Sequence, residues 1–128
     1  MIVENLTIEA TQYTPEIKLD ASNGSISLVG KSYPENTFEF YKPMMEWLEE
    51  YFNGNAKEKT ILNMEIIYFN SSSSKLFFDL FDVLDEAKDS QNIEVNWIYD
   101  EDNESALEAG EDFVDDFEDL TINLVVKA

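Results

Sequence analysis

The sequence predicts an α/β fold built on a mixed, mostly parallel sheet, and three observations carry that prediction. The runs KTILNMEIIYF (59–69), NIEVNWIYD (92–100) and TINLVVK (121–127) are β-branched and apolar, as buried strands are. Between them lie segments long enough for crossover helices, which parallel strands require and antiparallel pairs do not. Earlier in the chain, EIKLD (16–20) and SISLVG (25–30) alternate apolar and polar residues around ASNG (21–24), the pattern of a β-hairpin. The predicted order is ββαβαβαβ in one layered domain spanning 1–128.

After the hairpin, KSYPEN (31–36) forms a connection in which Pro34 biases Tyr33 to extended geometry and Glu35 or Asn36 opens a helix. The segment 32–54 then repeats Phe38, Tyr41, Met45, Leu48 and Phe52 at helical spacing, and Gly54 suits the helix end. Pro43 within it is expected to kink or restart the helix, because it lacks the amide donor and crowds the preceding turn. From 74 to 90, Leu76, Phe77, Leu80, Phe81 and Leu84 share one helical face. From 104 to 119, Leu107, Phe113 and Phe117 are expected to point inward, although Gly110 is a poor helix former. Trp47 and Trp97 fall in apolar patterns and are expected to pack rather than to bind a ligand.

Composition narrows the function. The 128 residues carry 44% hydrophobic and 13% aromatic side chains, enough for one core. There are 28 acids against 8 bases, all lysine, for a formal charge of −20. Nucleic acid and anionic membranes are expected to be repelled, since binding them requires clustered cations. Without arginine, histidine or cysteine the chain has no guanidinium clamp, no imidazole acid–base chemistry and no thiolate. No cofactor and no resident metal is expected. The opening residues lack a basic, apolar leader pattern, no apolar window reaches membrane length, and the cysteine-free chain fits the cytoplasm.

The remaining chemistry sits in YFNSSSSK (68–75). Four serines interrupt the passage from a strand to a helix, the kind of junction where α/β sheets place ligands and modifications. One hydroxyl suffices to cap the helix, a contribution of about 1 kcal/mol, and the others need another reason. Phosphorylation supplies one, because a phosphate adds roughly −1.5 to −2 charges where the helix dipole is positive. Lys75 is the one base nearby, so the phosphate is expected to act on a partner surface rather than to dock within the chain.

At QYTPEIKLD, GKSYPENTFEFYKPMMEWLEEYF, YFNSSSSK and VNWIYDEDNESALEAGEDF the chain resembles the SiaC family of bacterial regulatory phosphoproteins, from about residue 11 to 126. The resemblance implies an anti-anti-sigma (STAS-like) layered domain without catalytic activity, acting in a partner-switching pathway. It implies a cognate serine/threonine kinase, a phosphatase of the PP2C type, and a target that the unmodified form binds and activates, such as a diguanylate cyclase. The output in such systems concerns aggregation and biofilm. The family's phosphosite follows YFN and falls on Ser71, where this sequence has serine in place of the family's threonine; Ser72 and Ser73 remain alternates. Partner contacts are expected from Tyr33, Asn36, Asn70, Ser72, Ser73 and Lys75.

Three rival patterns stand beside this reading. Asp100, Asp102, Glu104, Glu108 and Glu111 match the ligand positions of a calcium loop, with Leu107 apolar at the eighth place. Ser105 stands where the sharp turn needs glycine, and a strand precedes the loop where a helix belongs. An acidic calcium-binding protein using 100–111 is the alternative function. The acids of EDFVDDFED (111–119) alternate around packing residues as a solvated helix face does, which disfavours paired-carboxylate hydrolysis. The −20 charge also suggests an acidic mimic of nucleic acid, a more distant alternative.

Overall fold

In the computed structural model, which describes residues 4–54 and 56–127, the elements are β1 (Leu6–Ile8), β2 (Glu16–Asp20), β3 (Ser25–Ser32), α1 (Thr37–Phe52), β4 (Lys59–Phe69), α2 (Ser71–Ala87), β5 (Asn92–Asp100), α3 (Glu104–Asp116) and β6 (Thr121–Lys127). The strands form one six-stranded sheet in sequence order; β1–β2 and β2–β3 pair antiparallel, and β3 through β6 pair parallel. The bounds of β4, β5 and β6 are those read from the sequence. The hairpin is also present, and Gly24 in its turn has φ +66°. A Cβ there would stand 2.4 Å from the Lys59 carbonyl oxygen, so only glycine lets the turn reach β4.

Consecutive right-handed crossovers in a sheet of sequential order place all three helices on one face. Burial agrees: Ile26, Leu28, Leu62, Met64, Ile66, Val95 and Trp97 are buried beneath the helices, while their strand neighbours are half-buried or exposed. Parallel sheets are usually covered on both faces. Here the middle of the uncovered face is polar instead. Asn63, Asn96 and Asn123 stand in register, with Asn96 Nδ2 donating to Asn63 Oδ1 at 2.9 Å and Asn123 Nδ2 to Asn96 Oδ1 at 3.0 Å. Ion pairs Lys127–Glu65 (2.8 Å) and Lys59–Glu94 (3.5 Å) flank the ladder.

Several details differ from the sequence reading. Strand β1 is an addition, three residues long and therefore too short to show periodicity. Helix α1 buries Thr37, Tyr41, Met44, Trp47, Leu48 and Tyr51; Tyr41 and Leu48 are as expected, Met45 and Phe52 only partly buried, and Phe38 is 52% exposed. Apolar residues surround this helix, so its phase was ambiguous. Pro43 does not restart it: α1 runs through the residue without interruption, with the ring on the solvent side. In α3, Gly110 is a packing residue: a Cβ would meet Trp97 Cδ1 at 2.6 Å and Leu124 Cδ2 at 2.7 Å. Trp47 and Trp97 pack in the core as expected, each with its indole nitrogen donating 2.8 Å to a carbonyl oxygen, of Glu4 and Ala106 respectively.

Candidate functional site

The serine run lies where β4 passes into α2. The β3–β4 register shifts from Gly30↔Ile66 to Lys31↔Tyr68, so Ile67 is an extra residue that bulges from the strand. Beyond it Phe69 turns under the helices, its ring against Phe77 and Trp97. Asn70 then caps α2: its Oδ1 accepts from Ser73 N at 2.9 Å, and its carbonyl accepts from Ser74 N at 2.9 Å. The cap is therefore an asparagine, not a serine as the sequence suggested. The helix begins at Ser71, three residues earlier than expected.

The four serines have different fates. Ser73 is fully buried. Its Oγ donates to the Ser32 carbonyl oxygen at 2.9 Å and lies 2.7 Å from Ser32 Oγ, which is 2.6 Å from the Tyr41 hydroxyl. Each hydroxyl has one proton, so the direction runs from Tyr41 to Ser32 Oγ, to Ser73 Oγ, to the Ser32 carbonyl. Burial pushes the Tyr41 phenol up to about 12, against a smaller lowering by Ser32. Ser73 was an expected alternate phosphosite and partner contact; with its hydroxyl saturated inside the core it offers neither in the folded state. Ser71 and Ser72 are exposed, and Ser74 is half-buried. With Phe69 and Asn70, Ser71 and Ser74 line a shallow depression of about 310 Å³.

Lys75 is exposed and, among the described residues, forms no ion pair within 4 Å, with Asp79 one turn on or with any other acid. It stands four residues after Ser71, on the same helical face. The electrostatics of the first turn set α2 apart. Helix α1 has Glu39 in its first turn and α3 has Glu104, but α2 has no acid there. In a chain with 28 acids, this helix opens without a first-turn acid on the positive end of its dipole, beside two exposed hydroxyls.

The KSYPEN turn adjoins this junction. Asn70 N donates to the Ser32 carbonyl at 3.1 Å, and the Tyr33 ring meets the Tyr68 ring edge-on at 5.4 Å. Asn36 is exposed, but its amide is engaged as the α1 cap: Oδ1 accepts from Glu39 N at 3.2 Å and Nδ2 donates to Glu39 Oε2 at 3.0 Å. Sequence reasoning missed a groove of about 660 Å³ next to Tyr33, lined by Thr11, Tyr13, Thr14, Tyr33, Pro34, Glu35 and Phe40. The QYTPE segment was its signal, but no periodicity marks a loop that packs against a distant turn.

The calcium-loop pattern is not realised as a loop. Asp100 ends β5, residues 101–102 turn, and Glu104, Glu108 and Glu111 are carried on α3, which Asn103 caps through Ala106 N at 3.1 Å. The carboxylates are dispersed over a strand end, a turn and a helix instead of wrapped around a centre. Among the described residues no group of three acids is gathered as a metal site would gather them.

A family model described as the SiaC family regulatory phosphoprotein matches residues 8–127. The chain belongs to the SiaC family. An uncharacterized protein of Pseudomonas aeruginosa (strain UCBPP-PA14) is 35% identical over 115 residues, which cover 89% of this chain and 90% of that one. Among solved structures, SiaC of Pseudomonas aeruginosa superposes with a TM-score of 0.88 at 30% identity, covering 97% of this chain and 99% of the other. A chain of the crystal structure of the diguanylate cyclase SiaD in complex with its activator SiaC, also from Pseudomonas aeruginosa, gives 0.88 at 32% identity, covering 95% and 99%. The mixed sheet and three helices described above are thus the SiaC fold. Among the described residues no helix is long and apolar enough to cross a membrane.

Proposed function

We propose that this SiaC-family chain is a non-enzymatic phospho-switch of a cytoplasmic partner-switching pathway. The unmodified protein binds and activates a diguanylate cyclase through the surface around Ser71. A serine/threonine kinase phosphorylates Ser71, with Ser72 as the alternate, and releases the cyclase; a PP2C-type phosphatase restores binding. The observation that carries this reading is the α2 N-terminus, where two exposed serines occupy the first two helical positions and the first turn holds no acid. A phosphate there meets free amide dipoles and Lys75, so the fold accommodates it. A partner docked on the same surface meets two new charges in a desolvated contact, which opposes binding. The complex of SiaD with its activator SiaC supports a cyclase as the target class.

The test combines mass analysis with binding. A cognate kinase should add one phosphoryl group, about 80 Da, to wild type and none to Ser71→Ala; a Ser71→Ala protein that still gains it moves the site to Ser72. Titration against the diguanylate cyclase of the same genome should show tight binding for wild type and Ser71→Ala. Phosphorylation or Ser71→Asp should weaken it by about tenfold or more, equivalent to ~1.4 kcal/mol. Binding unchanged by stoichiometric phosphorylation would sink the switch.

A further inference from the structure

The groove beside Tyr33 has no role in the capping, hairpin or sheet architecture, yet it is built. Its outer wall is the turn at Thr11–Thr14, held by Thr11 N to the Thr14 carbonyl (3.0 Å), by Thr14 N to Thr11 Oγ1 (3.1 Å) and by a 2.6 Å contact between the two hydroxyls. Tyr33 N donates to the Tyr13 carbonyl at 2.8 Å and fixes that turn against the inner wall. Pro15 passes so close to Gly30 that a Cβ there would stand 3.3 Å from Pro15 Cα. The resulting cleft presents Tyr13, 51% exposed, with its ring edge-on to Tyr33 at 5.3 Å, and is also lined by Phe40. The same row of rings continues from Tyr33 to Tyr68, two residues before Asn70.

Charge indicates the occupant. Residues 9–16 and 33–40, which build the two walls, contain Glu9, Glu16, Glu35 and Glu39 and no base. Glu35 lines the groove, is exposed, and has no ion pair within 4 Å among the described residues. Lys31 and Lys42, each two residues in sequence from a lining residue, do not line it. Such a cleft admits an apolar side chain and selects against an acidic neighbour, while a cationic neighbour gains from Glu35.

We propose that the groove seats a partner segment made of one bulky apolar anchor flanked by lysine or arginine, and that this anchor provides affinity while the Ser71 surface provides the switch. The inference rests on the proposed function, in which that partner is the cyclase. Binding energy at protein interfaces concentrates in a few well-seated anchors, and the rim sets rate and salt response. A phosphate on Ser71 then needs only to oppose the approach of the same partner on the adjoining surface; it need not rearrange the groove.

The experiment titrates the diguanylate cyclase of the same genome with unphosphorylated wild type, Tyr13→Ser, Glu35→Lys and Phe38→Ser. Phe38 is equally exposed but lies outside the groove. Tyr13→Ser is expected to weaken binding about tenfold. Glu35→Lys is expected to weaken it about threefold to fivefold at low salt, with a flatter dependence on ionic strength. Phe38→Ser should remain within about twofold, the scale of an energetically neutral contact. Glu35→Lys changes only an exposed side chain, so it remains informative if Tyr13→Ser lowers the unfolding midpoint. If wild type binds and both groove variants bind equally well, or Phe38→Ser loses as much as they do, the groove assignment is overturned and the switch stands. If wild type does not bind the cyclase, the proposed function fails and takes the groove assignment with it.

Discussion

Two junctions of the same kind, β4 to α2 and β5 to α3, have the same cap but differ in charge. In each an asparagine ends the strand connection and accepts from the amide three residues on, Asn70 from Ser73 N at 2.9 Å and Asn103 from Ala106 N at 3.1 Å. At the first helical position α3 has Glu104, a permanent negative charge on the positive end of the dipole, and α2 has Ser71. The Asn103 amide also donates to the Ile67 carbonyl at 3.0 Å, tying its junction to the bulge beside the serines. The comparison separates what a helix start requires from what the proposed switch needs. Capping is common to both, whereas an ionisable first turn is fixed in one and open to modification in the other.

The largest effect that sharpens this contrast concerns Ser73. Ser73→Asp places a charge in a buried site already saturated by Ser32 and is expected to destabilise the fold by about 3 kcal/mol or more. Ser71→Asp, two residues away, is expected to be neutral or slightly stabilising. Urea unfolding of the pair checks it; equal losses would mean that the run is not divided into core and surface.

Next in size is the pH response of the same hydroxyl chain. The folded Tyr41 phenol lies at about 12 against an ordinary value of 10.0, raised chiefly by burial. A pKa raised in the folded state gives stability that is complete below the unfolded value and lost as pH rises through the folded one. The protein should therefore lose up to roughly 2–3 kcal/mol between pH 10 and 12 from this group. Tyr41→Phe should remove that part of the decline, measured as the difference between the two unfolding curves over that window.

The two caps come third. Asn70→Ala and Asn103→Ala should each lower stability by about 1 kcal/mol, and Asn103→Ala somewhat more, since it also frees the Ile67 carbonyl. The smallest effect is the charge itself. Glu104→Gln should cost α3 roughly 0.3–1 kcal/mol at low salt, and Ser71→Asp should return a similar amount to α2. Thermal unfolding at low and high ionic strength separates these changes from packing, because only the charge contribution is screened.

Much of the frame was legible because it is written in short-range patterns. β4, β5 and β6 announce themselves by β-branched composition, and the inward face of α2 by its 3.6-residue period. Features that depend on contacts distant in sequence were not legible. Ser73 is separated from Ser32 by 41 residues, and nothing in SSSS says which hydroxyl turns inward. The Thr11–Thr14 wall of the groove meets Tyr33 through one backbone hydrogen bond that no composition signals. Gly110, a defect by helix propensity, is where Trp97 enters. The asparagine cap was obscured by four better-known candidates standing directly after it.

The most direct measurement is the dissociation constant for the cyclase with protein carrying a single phosphate on Ser71, alongside its own unfolding midpoint. The account predicts at least about tenfold weaker binding with a midpoint equal to or above that of the unmodified protein. Unchanged affinity, or weakened affinity accompanied by a lowered midpoint, would contradict a switch that acts on the docking face while leaving the fold intact.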